Sequence, residues 1–189
     1  MRSRWLRFAE AGVFGMLLLV VLIFAAAAGA RLGIAGPRYN LTASVPVGLY
    51  LYVPGAVHRG ETVQCCLPAR LAEYALQHHL LLDGSCPKTG VEPLVKVLAA
   101  AAGDVVDVTP TGVAINGRRW PLSAALTTDA HGAPLAVRVR PGRYVMAHDE
   151  MFLMGVHSRS WDSRYFGAMP ASSVTGRWIP LLTLSERTT

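Results

Sequence analysis

A serine hydroxyl becomes a useful nucleophile only when a neighbouring base takes its proton, so the chemistry of this chain is sought first among serines that have a lysine or histidine to work with. Ser85 and Lys88 form an S-x-x-K match, a spacing that on a helix sets the lysine one turn from the serine. Cys86 and Pro87 stand between them, and Gly84 and Gly90 flank them. That composition favours a loop, in which the lysine is not held over the serine. Ser44 lies in Asn40-Leu41-Thr42-Ala43-Ser44-Val45-Pro46-Val47-Gly48-Leu49-Tyr50, before a proline-shaped bend at the start of a strand-like run. Taken alone, this segment reads equally well as a nucleophile turn or as an ordinary linker turn. No G-x-S-x-G elbow, H-E-x-x-H pair or phosphate-binding loop occurs in the sequence. His78 and His79 are adjacent and the other histidines are scattered, which suits surface residues better than metal ligands. No metal or organic cofactor is expected.

The segment from Asn40 to Tyr50 resembles the nucleophile box of the bacterial signal peptidase family, in its conjugative-transfer (TraF-type) branch. Further boxes follow in the family's order. Arg59-Gly60-Glu61-Thr62-Val63 is similar to the second. Pro93-Leu94-Val95-Lys96-Val97, leading to Gly103-Asp104, is similar to the lysine box. Met154-Gly155 and Ser160-Trp161-Asp162-Ser163-Arg164-Tyr165-Phe166-Gly167 are similar to the last. The resemblance implies a Ser/Lys endopeptidase with Ser44 as nucleophile and Lys96 as base. It makes Thr42 a candidate oxyanion donor beside the Ser44 N–H, Ser160 a hydrogen-bond partner of the lysine, and Asp162 with Arg164 the pair that orients the lysine. The plain alternative for that pair is a surface salt bridge. Thr-x-Ser-Val-Pro at the nucleophile, and Val156-His157-Ser158 after Gly155, depart from ordinary leader peptidases and favour the transfer-type branch.

A lysine serves as a base only when neutral, and burial among apolar side chains depresses its pKa. Leu94, Val95, Val97 and Leu98 surround Lys96 in the sequence, consistent with a desolvated strand position. Without the resemblance, a half-exposed strand lysine would be the simpler account.

The elements that must position these residues are mostly strands. Leu49–Val53, Thr62–Leu67, Leu94–Ala102, Val105–Val108, Val113–Ile115, Val137–Val139, Tyr144–Ala147 and Met151–Met154 are short runs rich in strand formers. Gly103-Asp104, Asn116-Gly117, Pro141-Gly142 and His148-Asp149 supply turns between them. Leu71, Tyr74, Ala75, Leu76 and Leu80 are spaced for one short helix within Ala69–Leu82. Gly36-Pro37 reads as a linker. The strand-like runs argue for a mainly β fold, an antiparallel sheet or barrel-like domain, with one helical excursion; the resemblance implies a signal-peptidase-like core of coiled antiparallel sheets, and an N-terminal transmembrane helix is expected before it.

That helix is read from Val13 to Ala30, a run without a charged side chain and, at roughly 18 residues, long enough to span most of a bilayer core. Arg2, Arg4 and Arg7 precede it and Arg31 and Arg38 follow, a slight bias toward a cytoplasmic N-terminus. The expected organisation is a cytoplasmic segment 1–12, an anchor 13–30 and an extracytoplasmic peptidase domain 31–189. A cleaved secretory signal ending near Ala28-Gly29-Ala30 is the alternative. The chain of 189 residues carries a net charge of +6, but its arginines are scattered. A basic face toward anionic lipid is therefore a simpler account than nucleic acid binding. Cys65, Cys66 and Cys86 suit an oxidising compartment with one bridge and one thiol left over; Cys66 with Cys86 is the expected pair.

The family resemblance implies that the substrate is an exported precursor, a pilin-like subunit of a conjugation or type IV secretion system, cut after small residues through an acyl-enzyme on Ser44. Water or the substrate's own amino group resolves that intermediate, the latter giving a cyclic product. A general leader peptidase and an inactive scaffold of the secretion channel are the rival readings.

Overall fold

The computed structural model describes residues 14–21, 23–24, 28–29, 36–129 and 131–184. The chain divides into two compact units, Met1–Gly36 and Pro37–Thr189. In the first, residues 14–21 and 23–24 are helical, and the side chains of Phe14, Leu17, Leu18, Ile23 and Phe24 are exposed. Among the described residues no helix is long and apolar enough to cross a membrane. The expected anchor 13–30 falls partly, and the segment 1–12 wholly, outside the described residues.

The second unit is built almost entirely of antiparallel strands. In chain order these are β1 (Pro37–Asn40), β2 (Gly48–Pro54), β3 (Thr62–Cys65), α1 (Ala69–Gln77), β4 (Leu94–Ala100), β5 (Val105–Thr109), β6 (Gly112–Ile115), β7 (Arg118–Arg119), β8 (Gly142–Val145), β9 (Glu150–Met154), α2 (Ser163–Phe166), β10 (Met169–Pro170) and β11 (Val174–Thr183). One sheet runs β1-β2-β11-β3-β4-β9-β10 and a smaller one runs β7-β6-β5-β8.

Strand alternation sets what each face buries. On β4, Leu94, Lys96 and Leu98 are buried while Val95 and Val97 are half-buried. The first set faces the main core with Val63, Cys65, Leu67 and Leu153, on which α1 packs through Ala72 and Ala75. Val95 and Val97 lie against a separate cluster of Val45, Tyr50, Tyr52 and Trp178. A third cluster joins the two sheets' neighbourhood through Val106, Val113, Ile115, Phe152 and Met154.

Several sequence expectations change. Val137–Val139 is not a strand: Arg138 N–H donates to Tyr165 O at 2.7 Å, and its guanidinium lies 5.0 Å from the Tyr74 ring centre. The segment is therefore held by α1 and α2 rather than by a strand partner. The strand near Tyr144–Ala147 sits earlier, at Gly142–Val145, and the helix ends at Gln77 rather than Leu82. Pro37, read as linker, opens β1. β11 has no counterpart among the expected strands, because Gly176 and Pro180 interrupt its run of strand formers. Gly176 is required there, since a Cβ would overlap Val53 O of the neighbouring strand, and Pro180 falls where the pairing with β2 shifts register. Proline is tolerated at such irregularities because it has no N–H for the ladder.

Candidate active site

Ser44 lies in the seven-residue connection 41–47 between β1 and β2. Lys96 projects from the middle of β4, opposite Val63 of β3. The fold places Lys96 Nζ 2.8 Å from Ser44 Oγ. Ser160 Oγ, also buried, is 3.1 Å from Ser44 Oγ. Among the described residues it forms no hydrogen bond to Lys96.

Lys96 is only 4% exposed, and burial lowers its pKa from 10.5 to about 8, with the nearby Asp162 carboxylate pulling it up and Arg164 pushing it down. The ordering follows from distance and medium: desolvation penalises the ammonium directly, whereas Asp162 already shares its charge with Arg164. The outcome is a lysine that sheds its proton close to neutrality. When protonated it donates to Ser44 Oγ; when neutral, the same contact offers its lone pair to the serine proton.

Asp162 and Arg164 are not a surface salt bridge. They are 0% and 1% exposed, and their charges are matched group by group. Asp162 caps α2 by accepting from Arg164 N–H at 3.1 Å, accepts from Arg164 Nε at 2.8 Å and Nη2 at 2.9 Å, and takes Gly155 N–H at 2.7 Å. Arg164 spends its other donors on Leu122 O at 2.7 Å, Ser158 O at 3.3 Å and His157 O at 3.4 Å. A buried pair so fully hydrogen-bonded is a rigid frame, and it carries the chain from Gly155 to Ser160 past the serine.

That passage explains why residue 155 is glycine. A Cβ there would collide with Ser160 Oγ and Cβ and press on Ser44 O. The next residue, Val156, donates its N–H to Ser44 O at 2.9 Å, and Trp120 Nε1 donates to Gly155 O at 2.9 Å. Trp120 was not legible as a site residue, since nothing near it in sequence bears chemistry. Neither was Asn40, which receives the Thr42 hydroxyl on Oδ1 at 3.0 Å. Because that oxygen can only accept, the Thr42 hydroxyl proton points at Asn40 in this structure. The Ser44 N–H donates to no protein group among the described residues.

A cleft of about 810 Å³ exposes the serine–lysine contact, with Thr42, Gln64, His79, Arg159, Trp161 and Trp178 among its lining residues. A smaller pocket of about 180 Å³ shares His79, Leu80, Arg159 and Trp161 with it. Ser85 belongs to the cleft wall but to no helix, so its S-x-x-K spacing does not place Lys88 one helical turn away. Cys66 and Cys86 are joined by a disulfide with their Cα atoms 5.6 Å apart, tying the end of β3 to the loop that leads to β4. Cys65 is free and buried, and burial pushes its thiol up to about 12 despite the nearby Lys96. Among the described residues no cluster of His, Cys, Asp or Glu side chains is arranged to hold a metal ion.

The chain matches, over residues 5–182, the family described as Signal peptidase, peptidase S26. It is 36% identical over 152 residues to the Plasmid transfer protein TraF of Escherichia coli, which covers 79% of this chain and 84% of that protein. To the Probable conjugal transfer protein TraF of Sinorhizobium fredii (strain NBRC 101917 / NGR234) it is 38% identical over 149 residues, covering 75% of this chain and 74% of that one. A crystal structure of a signal peptidase I from Enterococcus faecalis V583 is similar with a TM-score of 0.36 and 19% identity, covering 66% of this chain and 97% of that chain.

Proposed function

The chain belongs to the signal peptidase, peptidase S26, family, and we propose that it is a serine endopeptidase in which Ser44 attacks the peptide carbonyl and Lys96 takes and returns the proton. The observation that carries this reading is the 2.8 Å contact between Lys96 Nζ and Ser44 Oγ, made by a lysine whose burial lowers its pKa to about 8. Neutral Lys96 accepts the Ser44 proton as Oγ bonds to the carbonyl carbon. The resulting ammonium then protonates the leaving amine, and the acyl group stays on Ser44 until water or an amine displaces it. The Ser44 N–H, which has no partner among the described residues, is available to the developing oxyanion. Thr42 joins it if its hydroxyl turns away from Asn40, and such donors typically contribute about two to three orders of magnitude in rate. Ser160 orients Ser44, and the Asp162–Arg164 frame orients Ser160 and moderates the lysine's charge.

Relatives named for plasmid and conjugal transfer support a substrate exported by a transfer system, a pilin-like precursor cut after small residues. The apolar run 13–30 supports a membrane anchor with the catalytic unit outside the cytoplasmic membrane. Incubation of the candidate precursor with the protein, followed by intact-mass analysis, tests the reading. Cleavage that disappears in Ser44→Ala is expected. Cleavage surviving that substitution rules out this nucleophile. A product lighter by one water than the linear processed chain identifies the substrate amine, rather than water, as the acceptor.

A further inference from the structure

The connection that presents Ser44 is wound around a single buried carboxamide, and this arrangement suggests how the nucleophile is held. Asn40, the last residue of β1, is 4% exposed. Its Nδ2 donates to Thr42 O at 2.8 Å, Val45 O at 3.0 Å and Pro46 O at 3.1 Å. Its Oδ1 accepts from Thr42 N–H at 3.2 Å and from the Thr42 hydroxyl at 3.0 Å. The partners fix the orientation of the amide, since exchanging its nitrogen and oxygen would set an oxygen against three carbonyls. Residues on both sides of Ser44 are thus tied to one group, while Ser44 O is tied to Val156 N–H and Pro46 O also receives the Tyr50 hydroxyl at 2.6 Å.

Resting on the assignment of Ser44 as nucleophile, we propose that Asn40 is a positioning residue for acylation: its carboxamide holds the 41–46 turn so that Ser44 Oγ faces Lys96 and the Ser44 N–H faces the cleft. Aspartate is isosteric but has no proton to give the three carbonyls, and alanine has neither donor nor acceptor. A turn released from these bonds keeps Ser44 in the cleft but spreads its position, and a misplacement of about 1 Å costs about a hundredfold in rate. Asn40 lines the cleft, but its carboxamide is uncharged and bonds neither Lys96 nor Ser44. The pH at which the lysine loses its proton is therefore unchanged by its removal.

The test is burst titration of the full-length chain in detergent with a p-nitrophenyl ester of an alanine-terminated peptide, for the native protein, Asn40→Ala, Asn40→Asp and Ser44→Ala. Burst amplitude counts acylatable Ser44, and burst rate reads acylation at each counted site. The expected result for both Asn40 variants is an acylation rate per site lowered by about tenfold to a hundredfold, with KM within about threefold of native; in Asn40→Ala, which adds no charge, the acid limb of the pH profile stays at its native position. An unchanged rate per site, whatever the amplitude, would overturn the proposal, as would a moved acid limb in Asn40→Ala. Failure of both variants to fold would also overturn it, showing a purely structural role. A burst that persists in Ser44→Ala instead removes the nucleophile assignment itself, an outcome distinct from any of these.

Discussion

As the proposed base, Lys96 combines two demands that conflict at neutral pH, since a base must be neutral while the buried site must tolerate its charge whenever a proton is bound. With its pKa lowered to about 8, kcat/KM is expected to rise as pH increases through about 8 and to level off above it, measured with a peptide substrate of fixed charge. The same group makes stability depend on pH. Between about 8 and the ordinary value of 10.5 the unfolded chain still binds a proton that the folded chain has lost, so stability rises with pH across that window. At pH 7 both states are protonated and the folded state bears the full cost of the buried ammonium. Lys96→Met is therefore expected to abolish processing yet stabilise the protein at pH 7 by up to about 3 kcal/mol, with the gain vanishing near pH 11. Urea denaturation at the two pH values measures it, and an equal effect at both would show that desolvation of Lys96 is not the cause. Asp162→Asn acts in the opposite sense on the fold. Removing the carboxylate leaves Arg164 buried and uncompensated, at a cost of about 3–5 kcal/mol. It also takes away the charge that holds the Lys96 pKa up, so the acid limb of any remaining activity should move below its native position.

Elements contribute by how closely they approach. The loop from Gly155 to Ser160 passes Ser44 with no room for a methyl group. Gly155→Ala is accordingly expected to displace Ser160 and lower kcat by at least about tenfold, as misplacement of a positioned group does. Its effect should be much smaller in a Ser160→Gly background, where the collisions with both Oγ and Cβ are absent. A double-mutant cycle on kcat checks the coupling. The β3–β4 connection is braced differently, by the Cys66–Cys86 bridge across a separation of 20 residues. Cys86→Ser is expected to cost about 3 kcal/mol in the chain-entropy account, read from the urea midpoint under oxidising conditions. Alkylation of the denatured, unreduced protein should label Cys65 alone, and the native protein should resist labelling there because the thiol is buried and its pKa is pushed up to about 12.

For the molecule as a whole, the proposed placement of the catalytic unit outside the cytoplasmic membrane rests on the apolar run 13–30 and the slight basic excess before it. A reporter that works only outside the cytoplasm, fused after Thr189, should be active, and activity of a cytoplasm-only reporter at the same point would refute the orientation. The broad cleft with aromatic walls, Trp161 and Trp178, suits an extended polypeptide better than a small metabolite. The topology also explains why the serine and the lysine meet although 52 residues separate them. β2, β11, β3 and β4 are consecutive in one sheet, so the turn before β2 and the middle of β4 are joined through a strand contributed by the C-terminal end of the chain.

Local pattern determined a good deal by itself. Runs of strand formers located β2, β4, β5 and β9 and turn residues separated them, because strand period is a property of neighbouring residues, whereas the boxes around Ser44, Lys96 and Ser160–Gly167 pointed to the residues that assemble only through their resemblance to the signal peptidase family. Tertiary structure decided what depends on distant partners. β11 was hidden because Gly176 and Pro180 break its pattern, and only Val53 and the register shift beside it make those residues fit. Val137–Val139 had a strand's composition but no strand to pair with. Ser160 was expected to bond the lysine and instead meets Ser44 Oγ. The roles of Asn40, Trp120 and Gly155 are invisible in sequence for the same reason: the carbonyls that receive the Asn40 amide and the Trp120 indole N–H, and the Ser160 side chain that leaves no room at Gly155, reach their places only in the folded chain. The extent to which the Lys96 pKa is lowered is likewise decided by its burial on the core-facing side of β4, since desolvation is a property of the packed interior and not of the strand that contains the lysine.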